Sequence, residues 1–261
     1  MDILSNIIAD KKREIILKKS IIPVSQLENS VLFGGRTVSM SKNLRSSPCG
    51  IIAEFKRRSP SKGEINYSIS VEEVTQGYER AGAGGISVLT DGKYFGGSLD
   101  DLLLAKAAVN VPLLRKEFIV DEYQILEAKA FGADVILLIA AVLTRDEIKN
   151  LSEFAQSLAL EVLLEVHSEE ELEKTIMSSL DMIGVNNRNL KNFEVGLDIS
   201  KALSYKIPSD FVKVSESGIS SIEAIKDLKN YGFEGFLIGE NFMKTENPGE
   251  SLKKFMEPLR H

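Results

Sequence analysis

The chain has 261 residues, of which 43% are hydrophobic and 27% charged, the balance of a folded globular protein that buries a large core without disulfides or structural metals. Its net charge of −6 argues against a broad nucleic-acid-binding surface, so an anionic substrate would need a local binding site. One cysteine and two histidines exclude an internal disulfide and leave little room for a His/Cys metal site, so we expect neither a metal nor a cofactor.

The first 47 residues precede the first predicted strand. Apolar residues recur at helical spacing and would line one side of a helix: Ile3, Leu4, Ile7, Ile8, Ile15 and Ile16. The pattern leaves two positions open for this extension, the bottom or side of the domain and the mouth of the active site. Acidic residues come before the basic run that starts at Lys11, which is the reverse of a signal peptide. The longest apolar run, 135–143, is too short to span a bilayer. We therefore expect a cytoplasmic protein without a membrane partner.

From Ser47 onward, short apolar runs alternate with longer amphipathic stretches. Eight of the runs have too few positions for a helix, and several are rich in β-branched residues, as in buried parallel strands. They are Gly50–Phe55, Gly85–Leu89, Val111–Arg115, Asp134–Ile139, Glu161–Val166, Met182–Val185, Phe211–Ser215 and Gly235–Ile238.

Helical patterns lie between these strands, at Val120–Phe131, Thr144–Leu158 and Ser220–Tyr231. The glycines that follow the first and third, Gly132 and Gly232, are predicted to end their helices. The segment 220–223 (Ser-Ser-Ile-Glu) predicts a capping box.

Alternating strands and helices form either an open doubly wound sheet or a closed barrel. No glycine-rich dinucleotide fingerprint follows the first strand, where the basic Lys56-Arg57-Arg58 stands instead. Eight strands at near-even spacing favour closure. The sequence therefore predicts an α/β protein, a (βα)8 TIM barrel with an N-terminal helical extension (1–47) in a single domain (1–261).

Polar side chains follow five of the predicted strands, where a parallel barrel places its active site. They include Glu54 and Lys56 at the end of the first strand, Lys116 after the third, Glu165 and His167 at the end of the fifth, Asn186 and Arg188 after the sixth, and Glu216 and Ser217 after the seventh. A ring of structural ion pairs is one interpretation. Burying lysines beside glutamates is a poor way to stabilise a fold, however, and the mixture suits proton transfer.

Glycines after the seventh and eighth strands indicate a phosphate site. Gly218 and Gly239 allow backbone N–H groups to approach an oxyanion, and Glu240 would contribute only its main-chain N–H. Ser59 and Ser61 add hydroxyl donors. Aromatic residues near the same rim, Tyr94, Phe95 and Phe118, either fill the core or line an apolar pocket for a planar group. Together these features predict a phosphorylated small-molecule substrate with an apolar end.

These blocks resemble the indole-3-glycerol-phosphate synthase family of tryptophan biosynthesis. The resemblance covers the chain from about residue 50 to the end, in family order. Its most specific parts are Ile52-Ala-Glu-Phe-Lys-Arg-Arg-Ser-Pro-Ser-Lys-Gly63 and Pro112-Leu-Leu-Arg-Lys-Glu-Phe-Ile119, and 161–167, 183–188 and 216–219 also match. The family is a carboxy-lyase that converts 1-(2-carboxyphenylamino)-1-deoxyribulose 5-phosphate into indole-3-glycerol phosphate, releasing carbon dioxide and water.

The resemblance implies roles for individual residues. Lys116 would be the general acid of ring closure, while Glu165 and Lys56 would serve later proton transfers in an order that the sequence leaves open, oriented by Glu54 and Asn186. Arg188, Glu216 and Ser217 would contact the substrate from the polar rim. The phosphate would be bound by Ser59, Gly218, Gly239 and Glu240, and the anthranilate ring by Phe95, Leu114, Phe118, Leu137 and Leu190.

Two departures from the family pattern are mild. Glu117 stands where Asp is more frequent, and Arg115 stands where an apolar residue is frequent; strand alternation predicts that Arg115 points away from Lys116. The rival interpretations are a phosphoribosylanthranilate isomerase-like barrel, which would need a Cys/Asp pair at strand ends, and a catalytically silent barrel that binds a sugar phosphate. We expect a monomer or weak homodimer with no fused pathway domain.

Overall fold

The computed structural model describes residues 3–188 and 194–259 and contains a closed barrel of eight parallel strands. We number them β1 to β8: Ile51–Phe55, Gly85–Leu89, Leu113–Lys116, Val135–Ile139, Glu161–Val166, Met182–Asn186, Val212–Glu216 and Gly235–Ile238. Each strand pairs with its neighbours in chain order, and β8 closes on β1 with Ala53 opposite Ile238. The predicted barrel and all eight strands are confirmed.

Helices precede and follow the strands in the alternation that the sequence predicts. In the described ranges they are α1 to α13: Ile3–Ile21, Val24–Glu28, Met40–Ser46, Val71–Ala81, Gly92–Phe95, Leu99–Ala108, Glu122–Ala130, Arg145–Ser157, Glu169–Thr175, Asp198–Ser204, Ile222–Asn230, Glu240–Met243 and Pro248–Met256. A short antiparallel hairpin, Arg58–Ser59 with Gly63–Glu64, follows β1. Within the described part of the chain, no helix is long and apolar enough to cross a membrane.

Hydrophobic residues form an inner and an outer core. Alternate strand residues such as Ile52, Leu114 and Leu163 fill the barrel interior, and their neighbours pack outward against the helices. Parallel strands buried on both faces are continuously apolar, as the sequence pattern indicated.

Helix ends follow the predicted capping residues with one exception. Gly132 and Gly232 have positive φ angles of 87° and 80° and end α7 and α11, as predicted. The predicted Ser220–Glu223 capping box is wrong by one residue, because the N-cap of α11 is Ser221, whose hydroxyl accepts from Ala224 N. A capping box that we did not predict joins Thr144 and Glu147 at the start of α8.

The N-terminal extension occupies both of the positions that the sequence left open. The first turns of α1 reach the mouth of the barrel, whereas α3 closes the bottom, where Met40 packs so tightly that a Cβ on Gly85 would lie 2.5 Å from Met40 Cε. The predicted apolar stripe of α1 is partly wrong: Ile7 and Ile15 are buried but Ile16 is 68% exposed. Adjacent residues of a helix point about 100° apart, so Ile15 and Ile16 cannot both face the barrel.

Candidate active site

A cavity of about 570 Å³ opens at the carboxyl ends of the barrel strands, the size of a small-molecule site. It is lined by most of the residues that the sequence singled out: Glu54, Lys56, Ser59, Phe95, Lys116, Phe118, Leu137, Glu165, Asn186, Arg188, Glu216, Ser217, Gly218, Gly239 and Glu240. The strand ends thus bring side chains from distant parts of the sequence into one site.

Lys116, the last residue of β3, lies between two carboxylates. Its Nζ is 3.3 Å from Glu165 Oε2 and also donates to Glu216 Oε2. Both carboxylates are almost fully buried. Gly184 leaves the space for one of them, because a Cβ there would lie 2.3 Å from Glu216 Oε1. A buried ammonium group shared by two carboxylates is a proton donor with bases beside it.

A second ion pair lies beside the first. Lys56 Nζ is 2.5 Å from Glu54 Oε1, and the two residues share a face because they are two positions apart. Gly239 at the end of β8 leaves room for this carboxylate, since a Cβ there would lie 2.6 Å from Glu54 Oε1. Glu54 and Lys56 therefore face the same cavity as Lys116 and Glu165.

The charges of this cluster shift its pKa values. Burial lowers the pKa of Lys116, but the carboxylates of Glu216, Glu165 and Glu54 raise it by more, so that it lies above its ordinary value. Burial raises the pKa of Glu165, but Lys116 and His167 lower it by more, so Glu165 is ionised. For Glu216, burial and the charge of Glu165 raise the pKa to about 7. One lysine cannot balance both carboxylates.

Asn186, Arg188 and His167 surround Glu165. Asn186 Nδ2 donates to Glu165 Oε1 at 3.1 Å, and Asn186 Oδ1 accepts from the backbone N–H of Arg188. His167 Nε2 lies 3.5 Å from Glu165 Oε1. Burial lowers the pKa of His167, but Glu171 and Glu165 raise it above its ordinary value. His167 stands two residues after Glu165 and so lies on the same face of the chain, as strand alternation predicts.

The predicted phosphate residues follow β7, β8 and β1, which are neighbours in the barrel, and so line the same end of the cavity. The hydroxyls of Ser59 and Ser61 are 3.4 Å apart. Ser217 and Gly218 have φ angles of 65° and 76°, the left-handed region that side chains rarely adopt, so the loop after β7 is held in a strained turn beside the cavity. Lys244 also lines the cavity, a cation that sequence reasoning missed because it follows β8 by a full helical turn.

The opposite end of the cavity is apolar. The rings of Phe95 and Phe118 pack with centroids 6.0 Å apart, and Leu137 adjoins them. Leu114 does not line the cavity but is fully buried in the barrel interior. Leu190 lies outside the described residues. Three apolar residues of α1 complete this end, and the sequence marked them only as one side of a helix: Ile3, Leu4 and Ile7.

Cys49 and Arg115 are oriented as the strand pattern predicts. Cys49 is buried in the outer core before β1 and does not line the cavity, so it cannot supply the acid–base pair of an isomerase. Arg115 is 1% exposed and donates to Gln124 O and Glu127 on α7. It therefore points away from Lys116, as predicted.

Comparison with known proteins agrees with this geometry. The family model described as indole-3-glycerol phosphate synthase matches residues 4–255. The chain is 51% identical to the indole-3-glycerol phosphate synthase of Bacteroides thetaiotaomicron, covering 99% of both chains, and 43% identical to that of Aliarcobacter butzleri, covering 98% of this chain and 99% of that protein.

A thiamine phosphate pyrophosphorylase from Pyrococcus furiosus superposes with a TM-score of 0.60 over 82% of this chain and 96% of its own at 16% identity. This likeness shows the barrel fold alone. The full-length family match and the close relatives show more: the chain belongs to the indole-3-glycerol phosphate synthase family.

Proposed function

We propose that this chain closes the indole ring of indole-3-glycerol phosphate from 1-(2-carboxyphenylamino)-1-deoxyribulose 5-phosphate, with Lys116 as the general acid. The observation that supports this most strongly is the buried Lys116 ammonium between Glu165 and Glu216, in a cavity with hydroxyls at one end and phenylalanines at the other. The reaction needs an acid for a ketone oxygen and a base for a carbon-bound proton, and the family of the chain is a decarboxylating lyase.

The two ends of the cavity orient the substrate. The phosphate would accept hydrogen bonds from Ser59 and from backbone N–H groups at Gly218, Gly239 and Glu240, with Arg188 nearby. The anthranilate ring would pack on Phe95, Phe118 and Leu137. This orientation places the ketone beside the charged cluster, and holding the reacting atoms in contact removes much of the entropic barrier to ring closure.

Ring closure begins with a proton from Lys116. As this proton reaches the ketose oxygen, the ring carbon that bears the carboxylate attacks the carbonyl carbon and forms the new carbon–carbon bond. The carboxylate then leaves as carbon dioxide, and its electron pair restores the aromatic ring. The carboxylates beside Lys116 keep it protonated until the ketone is in place.

Dehydration follows. Glu165, which is ionised, takes a proton from the carbon next to the nitrogen, and Lys56 protonates the departing hydroxyl, which leaves as water. Glu54 and Asn186 orient these two groups. Glu165 then returns its proton to Lys116 at 3.3 Å, and Lys56 regains one from solvent. Each turnover therefore consumes one proton, as the loss of a carboxylate requires.

Separate measurement of carbon dioxide and indole tests this division of roles. In Glu165→Gln we expect carbon dioxide release to persist for the first turnover while indole fluorescence appears roughly 10²–10⁴-fold more slowly, the usual contribution of a general base. Glu170 is exposed, and the Glu170→Gln variant serves as the control. If Glu165→Gln slowed both products equally from the first turnover, Glu165 would act before or during decarboxylation and the assignment would be wrong.

We also propose that one chain is the functional unit and that it works in the cytoplasm. The cavity is lined by residues that the chain itself contributes, and a specific activity that does not depend on protein concentration would favour a monomer over a weak homodimer.

A further inference from the structure

Lys11 on α1 is almost fully buried although it is a lysine on the N-terminal extension. Its side chain is 3% exposed, and its Nζ lies 3.0 Å from Asp91 Oδ2 and 3.3 Å from Glu117 Oε1. The carboxylates of Asp91 and Glu117 are themselves 3% and 2% exposed. A fourth residue, Glu14, pairs with the same ammonium at 2.8 Å. Buried charges of this kind persist only where each is paired and hydrogen-bonded.

Each of these two carboxylates binds the backbone of a residue that lines the cavity. Asp91 Oδ1 accepts from the N–H of Tyr94 at 2.6 Å and of Phe95 at 3.3 Å. Glu117 Oε1 accepts from the N–H of Phe118 at 2.9 Å. Phe95 and Phe118 are the two rings that pack against each other at the apolar end of the cavity. Lys11 thus joins the two carboxylates that position the two rings.

We propose that Lys11 is a positioning residue for substrate binding. Through Asp91 and Glu117 it fixes the spacing of Phe95 and Phe118. It also holds Ile3, Leu4 and Ile7 of α1 over the same end of the cavity. This inference rests on the proposed function, because it assigns the anthranilate ring to that end. Lys11 does not touch the substrate. It acts through two hydrogen-bonded carboxylates: Asp91 stands one helical turn before Phe95, and Glu117 stands one residue before Phe118.

Electrostatics support a permanent charge at this position. Burial lowers the pKa of Lys11, but Glu117 and Asp91 raise it by more. Without the ammonium, the buried carboxylates of Asp91 and Glu117 would face each other, and the cation left beside them in the described part of the chain is Arg115, 3.7 Å from Glu117 Oε2. Their repulsion would separate the turn that holds Phe95 from the loop that holds Phe118. An apolar pocket binds its ligand by close contact, so a small separation weakens binding.

A surface ion pair on the same helix provides a matched control. Asp10 pairs with Lys93 at 2.6 Å and also accepts from Tyr94 Oη, so it ties α1 to the same turn. Lys93 is 65% exposed, and its ion pair does not involve the carboxylates that bind Phe95 and Phe118. Lys93→Met therefore removes a helix-to-turn contact and leaves the Lys11 bridge intact.

The test compares Lys11→Met, Lys11→Arg and Lys93→Met with the unmodified chain, well below the melting temperature of each. We expect Lys11→Met to raise both the KM for the substrate and the Kd for indole-3-glycerol phosphate by about tenfold or more, with a smaller change in kcat. Lys11→Arg should recover most of the loss because it keeps the charge, and Lys93→Met should leave KM unchanged. A folded Lys11→Met with unchanged KM and Kd would overturn the inference.

If Lys11→Met does not fold, the same measurements apply to the triple variant with Asp91→Asn and Glu117→Gln, which removes the buried negative charges but keeps their acceptor oxygens. This variant lacks the repulsion but also lacks the ammonium that joins the two side chains, so we expect its KM and Kd to be raised by a smaller factor than about tenfold, and normal values would count against Lys11. Product affinity separates this inference from the proposed function. An unmodified chain that bound the product but formed none from the substrate would contradict the function, while the Kd comparison would still decide the role of Lys11.

Discussion

At the scale of single residues, the charges in the cluster around Lys116 and Lys56 do not balance. The carboxylates of Glu54, Glu165 and Glu216 meet two lysines, and Lys116 is shared by two of them. Burial raises the pKa of Glu216, and the surplus negative charge raises the pKa of Glu216 and of Lys116. A proton on Glu216 removes part of the field that raises the pKa of Lys116, so the protonation state of Glu216 adjusts the acid strength of Lys116.

Asp181, which lies just before β6 and far from the cavity, is a second carboxylate whose pKa is raised in the folded chain. Burial and the charge of Glu161 raise its pKa from 3.8 to about 6. The folded chain therefore binds more protons than the unfolded chain between these two values, and its stability falls as pH rises through that window. Asp181→Asn keeps an acceptor for Val162 N, which Asp181 Oδ2 now binds at 2.8 Å.

We predict that Asp181→Asn has the melting temperature of the unmodified chain below about pH 4 and a higher one above about pH 6. Thermal melts across this range measure the difference, with the exposed Asp210→Asn as the control. A difference between variant and parent that is constant with pH would show that Asp181 has an ordinary pKa.

Strand alternation predicted well which side chains share the cavity, because in a barrel every second residue points inward. It predicted that Glu54, Lys56, Lys116 and Glu165 share one cavity and that Arg115 points away from it. It failed for Leu114, which shares the inward face with Lys116 but lies too deep in the barrel to reach the cavity. It could not identify Lys11, because its partners stand some 80 and more residues away in sequence and only the fold brings them together.

At the scale of elements, the N-terminal extension has two separate tasks. The start of α1 covers the apolar end of the cavity, and α3 closes the bottom of the barrel with Met40 and Leu44. Periodicity indicated the first helix, but a repeating apolar pattern does not say which surface will cover it. The short α3 gave no clear pattern of its own.

Glu161 at the start of β5 fixes α3 in place. Its carboxylate accepts from the N–H groups of Met40 and Ser41 at 2.8 and 2.9 Å and from the hydroxyls of Ser39 and Ser41. These groups include the unsatisfied N–H donors of the first turn of α3. A side chain from a barrel strand thus caps the helix that closes the barrel.

We predict that Glu161→Gln lowers the free energy of unfolding by roughly 1.5–3 kcal/mol, the range for hydrogen bonds to a charged group. Denaturant titration measures this, and kcat should not change because Glu161 lies at the opposite end of the barrel from the cavity. The exposed Glu153→Gln is the control. Equal stability of Glu161→Gln and its parent would mean that the carboxylate does not hold α3.

At the scale of the whole molecule, closure of the barrel creates the site. β1, β3, β5, β6 and β7 each contribute polar residues to one rim, so no single segment of the sequence contains the chemistry. The count and spacing of apolar runs were enough to predict the barrel, since eight parallel strands have few other ways to bury both faces. The motifs around Lys56 and Lys116 identified the family, which the full-length match confirms.

We infer that this cavity closes the indole ring with Lys116 as its acid. The most direct test follows indole fluorescence and carbon dioxide when the purified chain and its Lys116→Met variant are mixed with 1-(2-carboxyphenylamino)-1-deoxyribulose 5-phosphate. We predict equal amounts of both products from the unmodified chain, and turnover lower by roughly 10²–10⁴-fold in Lys116→Met with product affinity retained. Near-normal turnover in Lys116→Met would contradict the role of Lys116, and substrate binding without product in the unmodified chain would contradict the function.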